Sequence, residues 1–493
     1  MAINDSTELS DEHQRLGELT THLVAEYTRR LENMRLCSTA TPAEMVALFA
    51  EPLPQTGLDA AAVLSRFETD IAPHSMAIAS PGYFGLFNPT PLPVAVWADA
   101  LASALNQNGA VWRNSPAANV IEAQVIRWLC ELVGYDQNAF GTLTSGGSEA
   151  NLVGLKCARD AAHEAIRDRG LRAAPGELTV YATEQSHYSI EKSLDILGLG
   201  RASLRKIPTD DLFHLRLDEL RAAIDRDRAA GAIPCCIAGA AGATSTGVID
   251  PLDQLADVAQ EYGCWFHVDA AYGGAVAFSA QHRGRLNGIG RADSITLDAH
   301  KWMFVPFACG ALLVRGGGRV LRDSFDLTPE YLTERRERLG GADEEFDGFR
   351  YGQLGTKRFN ALKLWAAIKS LGVDGYAEII DRQIELTHYF AELIDALPDF
   401  SRLGQVETAT CCFRFLPEWV LALDGEGQDG VQRELQQRIE ASGEAWLATT
   451  VLRGRRALRV NVNSYLTRRR HIEYLVELLQ RFGAELTKER KPK

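Results

Sequence analysis

The sequence predicts an α/β fold on a mostly parallel sheet, followed by a smaller α+β domain. Three observations predict it. Between about residues 120 and 315, short apolar runs rich in β-branched residues alternate with helical patterns, and strand, crossover helix and strand repeated in this way build a parallel sheet covered on both faces. After about residue 365 the pattern changes to long amphipathic helices with a few short strands. The residues that are unusual for a core gather where the strands of the first region end, which is where open α/β sheets bind ligands.

The elements follow in chain order. Leu16, Leu19, Leu23, Val24, Tyr27, Leu31 and Met34 fall on one stripe at helical period, so an amphipathic helix over residues 16–34 opens the fold and needs a surface to cover. Residues 79–116 are rich in Pro, Gly, Asn and aromatics and read as loops around a short helical stretch. The expected strands are Phe140 to Thr144, Leu178 to Thr183, Pro234 to Ala241, Cys264 to Val268, Ser294 to Leu297 and Gly310 to Val314. Helical patterns over 149–168, 188–197, 217–229 and 251–262 lie between them. Toward the end, Ile379, Ile380, Ile384, Phe390, Leu393 and Ile394 form one helical stripe, and Ile472, Leu475, Val476, Leu479 and Phe482 another. Thr410 to Leu416 and Leu458 to Asn463 are the strands expected there.

A chain of 493 residues exceeds one core, because domains cluster near about 100 to 150 residues and large cores split beyond roughly 300. A net charge of −13 argues against nucleic acid as a partner, since a phosphate backbone requires a concentrated basic face. The nine cysteines are an odd number with no C-x-x-C spacing, and they read as reduced, mostly buried thiols rather than metal ligands. The polar, acidic N-terminus lacks the pattern of a secretory signal, and no window gives 18 uninterrupted apolar residues. A cytoplasmic protein without a membrane partner is the expectation.

Four places carry chemistry. In Phe140 to Asn151 a short strand runs into Ser-Gly-Gly-Ser and then a helix. Paired glycines let backbone N–H groups turn inward and the helix N-terminus adds partial positive charge, which suits a phosphate; a plain strand-to-helix turn with Ser148 as N-cap is the blander alternative. His187 follows a strand, where an imidazole can stack on a planar ring or hydrogen-bond a carboxylate, or can be merely structural. Asp269 ends the run Trp265 to Val268. A carboxylate at the end of a buried strand is costly without a cationic partner, although capping the next turn is a second reading. Lys301 lies four residues past a strand, about thirty residues after Asp269. An anion cradle, a group on a ring face, an anion at a ring nitrogen and an amine for an aldehyde are the parts that pyridoxal phosphate chemistry needs.

With these motifs the chain resembles the group II pyridoxal-phosphate decarboxylases, which include the aromatic-L-amino-acid, histidine and glutamate decarboxylases. The segments PGYFGLFNPTP, SPAANVIEAQVIRWL, TSGGSEAN, HYSIEKS, GATSTGVIDPL, WFHVDAAYGG, ADSITLDAHKWM and LGTKRFNALKLW occur in family order from about Ser80 to Leu479. The resemblance implies the aspartate-aminotransferase-like fold (fold type I) with a mostly parallel seven-stranded sheet, and a homodimer with sites at the subunit interface. It also implies three regions: an N-terminal helical segment at the dimer interface (1–90), a large cofactor-binding domain (91–365) and a small C-terminal α+β domain (366–493). Carried over, Lys301 would form the Schiff base with the cofactor, Asp269 would pair with the pyridine nitrogen, His187 would stack on the ring and Ala271 would pack on its other face. Gly147, Ser148 and His300 would hold the phosphate, and Thr244 would lie near the phenolic oxygen.

The stretch from Leu327 to Gly355 matches the family's mobile catalytic loop, and Tyr331 its proton-delivering tyrosine; relatives with phenylalanine there divert to oxidative deamination. The implied reaction is decarboxylation of an L-amino acid, by overall similarity an aromatic one. In the substrate pocket, Leu86-Phe87-Asn88 replaces the Tyr-Phe-Pro of animal aromatic decarboxylases, and Asn108 and Ala110 replace an isoleucine and a phenylalanine of the partner subunit. These changes make the pocket more polar, so a glutamate, aspartate or 2,4-diaminobutyrate type of substrate stands as an alternative, as does an aldehyde-forming oxidative deaminase. Asp298 replaces an asparagine of the aromatic enzymes, and no phosphate contact is assigned to it because two anions repel.

Overall fold

The computed structural model describes residues 5–327 and 347–490. Its strands are, in chain order, β1 (Tyr83–Phe84), β2 (Phe140–Thr144), β3 (Leu178–Thr183), β4 (Leu204–Ile207), β5 (Ile233–Ala240), β6 (Trp265–Asp269), β7 (Ser294–Asp298), β8 (Gly310–Val314), β9 (Phe400–Leu403), β10 (Thr410–Phe415), β11 (Trp446–Leu452) and β12 (Arg455–Asn461). One sheet has seven strands in the order β2-β8-β7-β6-β5-β3-β4, and a second has five in the order β1-β11-β12-β10-β9.

The seven-stranded sheet is the mostly parallel one expected. Strands β4, β3, β5, β6 and β7 pair in parallel, whereas β8 is antiparallel to both β2 and β7. That exception follows from the connection: residues 299–309 contain no crossover helix, and a link without one returns the chain antiparallel. Strand β4 is the strand the sequence pattern does not reveal. It is an edge strand, and Leu204-Arg205-Lys206-Ile207 keeps only Ile207 buried, so it carries the charge expected of an edge and not the apolar run of a central strand.

The chain divides into two compact units. One comprises residues 91–392 and 402–412 and contains the seven-stranded sheet. Its helices at Leu217–Ala229, Leu252–Tyr262 and Ser189–Ile196 fall within two residues of the sequence expectation. Helix Gly147–Ala162 is shorter than the pattern over 149–168, because the chain leaves helical geometry at His163 before a single turn at Ile166–Arg169. Leu155, Ala158, Leu178, Val180, Leu194, Cys235 and Cys236 form one buried cluster of this unit. All nine cysteines are free and eight are buried.

The other unit comprises residues 1–90, 393–401 and 413–493. Helix Ser6–Arg30 starts ten residues before the expected stripe, at an Asp5 side chain that accepts from the Thr7 and Glu8 N–H groups and so caps its N-terminus. The segment expected to be loop at 79–90 contains β1, which pairs in parallel with β11 through Tyr83 and Phe84; the Tyr83 and Trp446 rings stack 5.3 Å apart. Helix Arg469–Arg490 buries Ile472, Leu475, Val476 and Leu479, the stripe legible in the sequence. Among the described residues no helix is long and apolar enough to cross a membrane.

Candidate active site

Strand alternation and helix period together build the floor of the site. Side chains two apart share a face of a strand, so Trp265, His267 and Asp269 of β6 and Ser294, Thr296 and Asp298 of β7 point to the same side of the sheet. Helix Gly147–Ala162 lies over that side: the Trp265 Nε1–H donates to Ser294 Oγ at 2.8 Å, Thr296 Oγ1 donates to Asn151 Oδ1 at 2.7 Å, and the ring of His267 meets Asn151 Oδ1 at 3.0 Å. Gly154, one turn further along the helix, has no side chain because a Cβ there would stand 2.9 Å from His267 Cε1. The other face of the same strands carries Phe266, Val268, Ile295 and Leu297, all buried. A polar strand face is therefore roofed by a helix instead of by water.

At the carboxyl end of this face the strands terminate in Asp269 and Asp298. The turn into helix Gly147–Ala162 crosses directly above Asp298. A Cβ on Gly147 would lie 2.8 Å from Asp298 Oδ2 and 3.1 Å from Ala271 Cβ, and one on Gly146 would lie 3.1 Å from His300 Cε1, so close approach requires glycine at both positions. Gly146 is the N-cap and provides no side-chain acceptor, and Ser148 is an exposed residue inside the first turn. Ser148 is thus not the N-cap that the blander reading of this turn required. The helix N-terminus keeps its unsatisfied N–H groups and partial positive charge for an anion.

Lys301 Nζ lies 3.0 Å from Asp298 Oδ2, and His300 Nε2 lies 3.8 Å from the same oxygen. Asp298 is buried, and its Oδ1 has no hydrogen-bond partner among the described residues. Its charge is balanced chiefly by the lysine. Asp269 accepts from Asn151 Nδ2 at 2.8 Å and from the Ala271 N–H at 3.2 Å. His187 Nδ1 lies 2.7 Å from Ser189 Oγ. Burial pulls the His187 imidazole below its ordinary range, against the opposing pull of Asp269 and Asp298, and burial likewise lowers His300.

The loop after β5 brings Thr244 to the same end of the sheet. Ala241 N–H donates to the Asp269 carbonyl at 2.9 Å, and a Cβ on Gly242, at φ +91°, would stand 2.7 Å from the Gly273 nitrogen. Asn108 is tied into its own loop: Oδ1 accepts from the Ala110 N–H at 3.0 Å and the Lys357 N–H at 2.9 Å, leaving its NH2 group for other contacts. Phe87 and Asn88 belong to the other unit; Phe87 is buried with the Arg459 guanidinium 5.4 Å from its ring centroid. Tyr331 lies outside the described residues. Among the described residues no group of His, Cys, Asp and Glu is arranged to hold a metal ion. Asn151, Ser189 and His267 join the site without having stood out in the sequence. The available signals are that Asn151 follows Gly147 by one helical turn and that WFHVD and SITLD both alternate polar with apolar residues.

A helix N-terminus with no side-chain cap, two strand-terminal carboxylates and a lysine against one of them thus meet at one end of the sheet. Residues 42–416 match the pyridoxal-dependent decarboxylase conserved domain, and the chain belongs to that family. It is 31% identical to tryptophan decarboxylase 1 of Oryza sativa subsp. japonica over 94% of this chain and 92% of that one. It is 29% identical to the L-2,4-diaminobutyrate decarboxylase of Acinetobacter baumannii over 91% and 88%. The crystal structure of Oryza sativa TDC with PLP and tryptamine superposes with a TM-score of 0.89 at 28% identity, covering 99% of each chain. The fold is therefore fold type I, and the protein is a pyridoxal-phosphate-dependent amino acid decarboxylase. The glycine turn that a Cβ would fill and the carboxylate at the end of β6 fit that cofactor.

Proposed function

We propose that this decarboxylase converts an aromatic L-amino acid to its amine and CO2, with Lys301 as the residue that binds the cofactor covalently. The observation that carries the site is the convergence of Lys301, Asp269 and the uncapped glycine turn at one end of the sheet. Bound pyridoxal phosphate supplies the electron sink for the bond that breaks. Lys301 would supply the amine for the cofactor's aldehyde, and Asp298 Oδ2, 3.0 Å away, holds Nζ in place. Asp269 would pair with the ring nitrogen of the cofactor. Ala271 and His187 would take the two ring faces, Gly147, Ser148 and His300 would hold the phosphate, and Thr244 would lie near the phenolic oxygen. Tyr331 would be the proton donor to the substrate's α-carbon. Phe87, Asn88 and Asn108 are the residues we assign to the substrate side chain.

The aromatic substrate rests on the likeness to tryptophan decarboxylase 1 across nearly the whole chain. A diamino acid is the second reading, favoured by the comparable likeness to the L-2,4-diaminobutyrate decarboxylase and by asparagines at 88 and 108. Homodimerisation belongs to the same proposal. Val94, Trp97, Leu101 and Leu105, all exposed, line one face of helix Pro93–Leu105, an apolar stripe of the kind that a second subunit covers. We place the enzyme in the cytoplasm, in keeping with its free, buried thiols. A panel of L-amino acids assayed for CO2 release tests the substrate, with tryptophan, tyrosine and DOPA expected to exceed 2,4-diaminobutyrate and glutamate. Borohydride reduction should fix the cofactor to the parent chain and not to Lys301→Ala; a variant that still retained it covalently would refute the lysine.

A further inference from the structure

Asn151 is 1% exposed, and every hydrogen-bonding position of its amide is in use. Asp269 can only accept, so the Asn151 atom 2.8 Å from Asp269 Oδ2 is the amide nitrogen. The second N–H then points to Ser189 Oγ at 2.9 Å. Its oxygen faces Thr296 Oγ1 at 2.7 Å and His267 Nε2 at 3.0 Å, so both must donate. The directions of the remaining bonds follow. Trp265 Nε1–H, which can only donate, occupies Ser294 Oγ, and the Ser294 hydroxyl gives its proton to His267 Nδ1 at 2.8 Å. His267 is fully buried and carries its single proton on Nε2; burial brings it down to about 4.

On the other side, Ser189 Oγ takes the amide hydrogen of Asn151 and turns its own proton to His187 Nδ1 at 2.7 Å. The Ser189 backbone N–H is aimed at the same nitrogen from 3.4 Å. Two donors converging on Nδ1 leave it a lone pair, and the His187 proton stays on Nε2. One directed chain thus runs from Trp265 through Ser294, His267, Asn151 and Ser189 to His187, and it branches at Asn151 to Asp269.

We propose that Asn151 is a positioning residue that couples the two: through Ser189 it keeps the His187 proton on Nε2, and through its other N–H it holds the Asp269 carboxylate in place. This rests on the reading of Asp269 and His187 as cofactor residues given above. The consequence is that His187 offers the bound ring or substrate an N–H donor at Nε2. The other groups that bear on His187 are Asp269 and Asp298, which favour its cation, Lys301, which opposes it, and the Tyr188 ring packed 4.2 Å from its own.

The test compares Ser189→Ala and Asn151→Ala with the parent holoenzyme, reading the cofactor dissociation constant by equilibrium dialysis and the pH titration of the bound cofactor's absorbance. Ser189→Ala removes one donor to Nδ1 and should move the acidic limb of that titration up by about 0.5 to 1 pH unit, with cofactor affinity within about twofold. Asn151→Ala should raise the dissociation constant roughly tenfold or more, as expected when a carboxylate loses a charged hydrogen bond. The isosteric Asn151→Asp covers the case in which the alanine variant fails to fold, and its affinity should fall as pH rises because two anions then meet. An unmoved acidic limb in Ser189→Ala, or parent-like affinity in both Asn151 variants, would overturn the proposal. Asp269→Asn run alongside separates the two levels. If it binds cofactor as the parent does, the cofactor reading fails and the proposal with it, whereas its loss beside unchanged Asn151 and Ser189 variants overturns only the proposal.

Discussion

Replacing Lys357 by methionine removes one half of a buried ion pair. Lys357 Nζ lies 2.5 Å from Glu122 Oε1 and 2.9 Å from Thr142 Oγ1, and both charged residues are 6% exposed. In Lys357→Met, Glu122 keeps, among the described residues, the Leu143 N–H at 3.1 Å and loses its cationic partner in a desolvated position. Breaking such a pair costs about 3 to 5 kcal/mol, which for a unit of this size lowers the melting temperature by about 4 to 7 °C. Replacing both partners, as in Glu122→Leu with Lys357→Met, leaves no charge to strand, only the Leu143 N–H without its acceptor and Thr142 Oγ1 without its donor, so most of the loss should return, short of about 1 to 2 kcal/mol. Thermal melting of the parent, both single variants and the double variant gives the coupling energy. A Lys357→Met protein that melts within about 1 °C of the parent, or a double variant no better than the worse single, would refute the reasoning. The pair bears on the site because the Lys357 backbone also holds Asn108 and Gly109 in place.

Gly147→Ala should weaken cofactor binding about tenfold or more while the apo protein melts within a few degrees of the parent, because its Cβ would meet Asp298 and Ala271; equal affinity by dialysis would contradict the cradle. His214 hydrogen-bonds Glu407 at 2.7 Å, which raises its imidazolium to about 9 despite burial. Its stabilisation is then complete below about pH 6.5 and lost as pH climbs through about 9. His214→Gln should therefore cost about 1 to 2 kcal/mol near pH 6, after screening at the partly wet ring, and little near pH 10; a deficit independent of pH in melting experiments would refute the linkage. Tyr331→Phe should lower amine and raise aldehyde and peroxide in the presence of dioxygen, as read by chromatography and a peroxide assay, and an unchanged product ratio would remove Tyr331 from proton delivery.

Much of the large unit was legible because its strands are apolar, short and punctuated. The runs ending at Thr144, Thr183, Leu297 and Val314 stand within one residue of observed strand ends, and the residues just beyond them include the glycine turn and Lys301. Strand β4 was hidden by its edge composition, and β9 and β11 by weaker patterns, with Trp446 to Leu452 broken by threonines and exposed valine. The site's supporting residues were illegible for a different reason. A strand that alternates Trp265, His267 and Asp269 with Phe266 and Val268 is normally read as half solvated, and only tertiary structure shows that its polar half lies under a helix. Repulsion between two anions argues against Asp298 as a phosphate contact; the structure gives it a lysine and a place under the glycine turn.

That roofed polar face also governs how the glycine turn can move. An apolar helix-to-sheet interface tolerates sliding, since one methyl contact replaces another at little cost. Helix Gly147–Ala162 has no such freedom, because a shift of one residue, about 1.5 Å along its axis, would detach Asn151 from Asp269, Ser189, Thr296 and His267 together and drive a side chain into the space that Gly154 leaves for the imidazole. The hydrogen bonds act as a ratchet tooth seated in the sheet, and the turn that begins the helix inherits its fixed height. The mouth of the site is thus calibrated from one helical turn behind, by residues that need never touch the substrate.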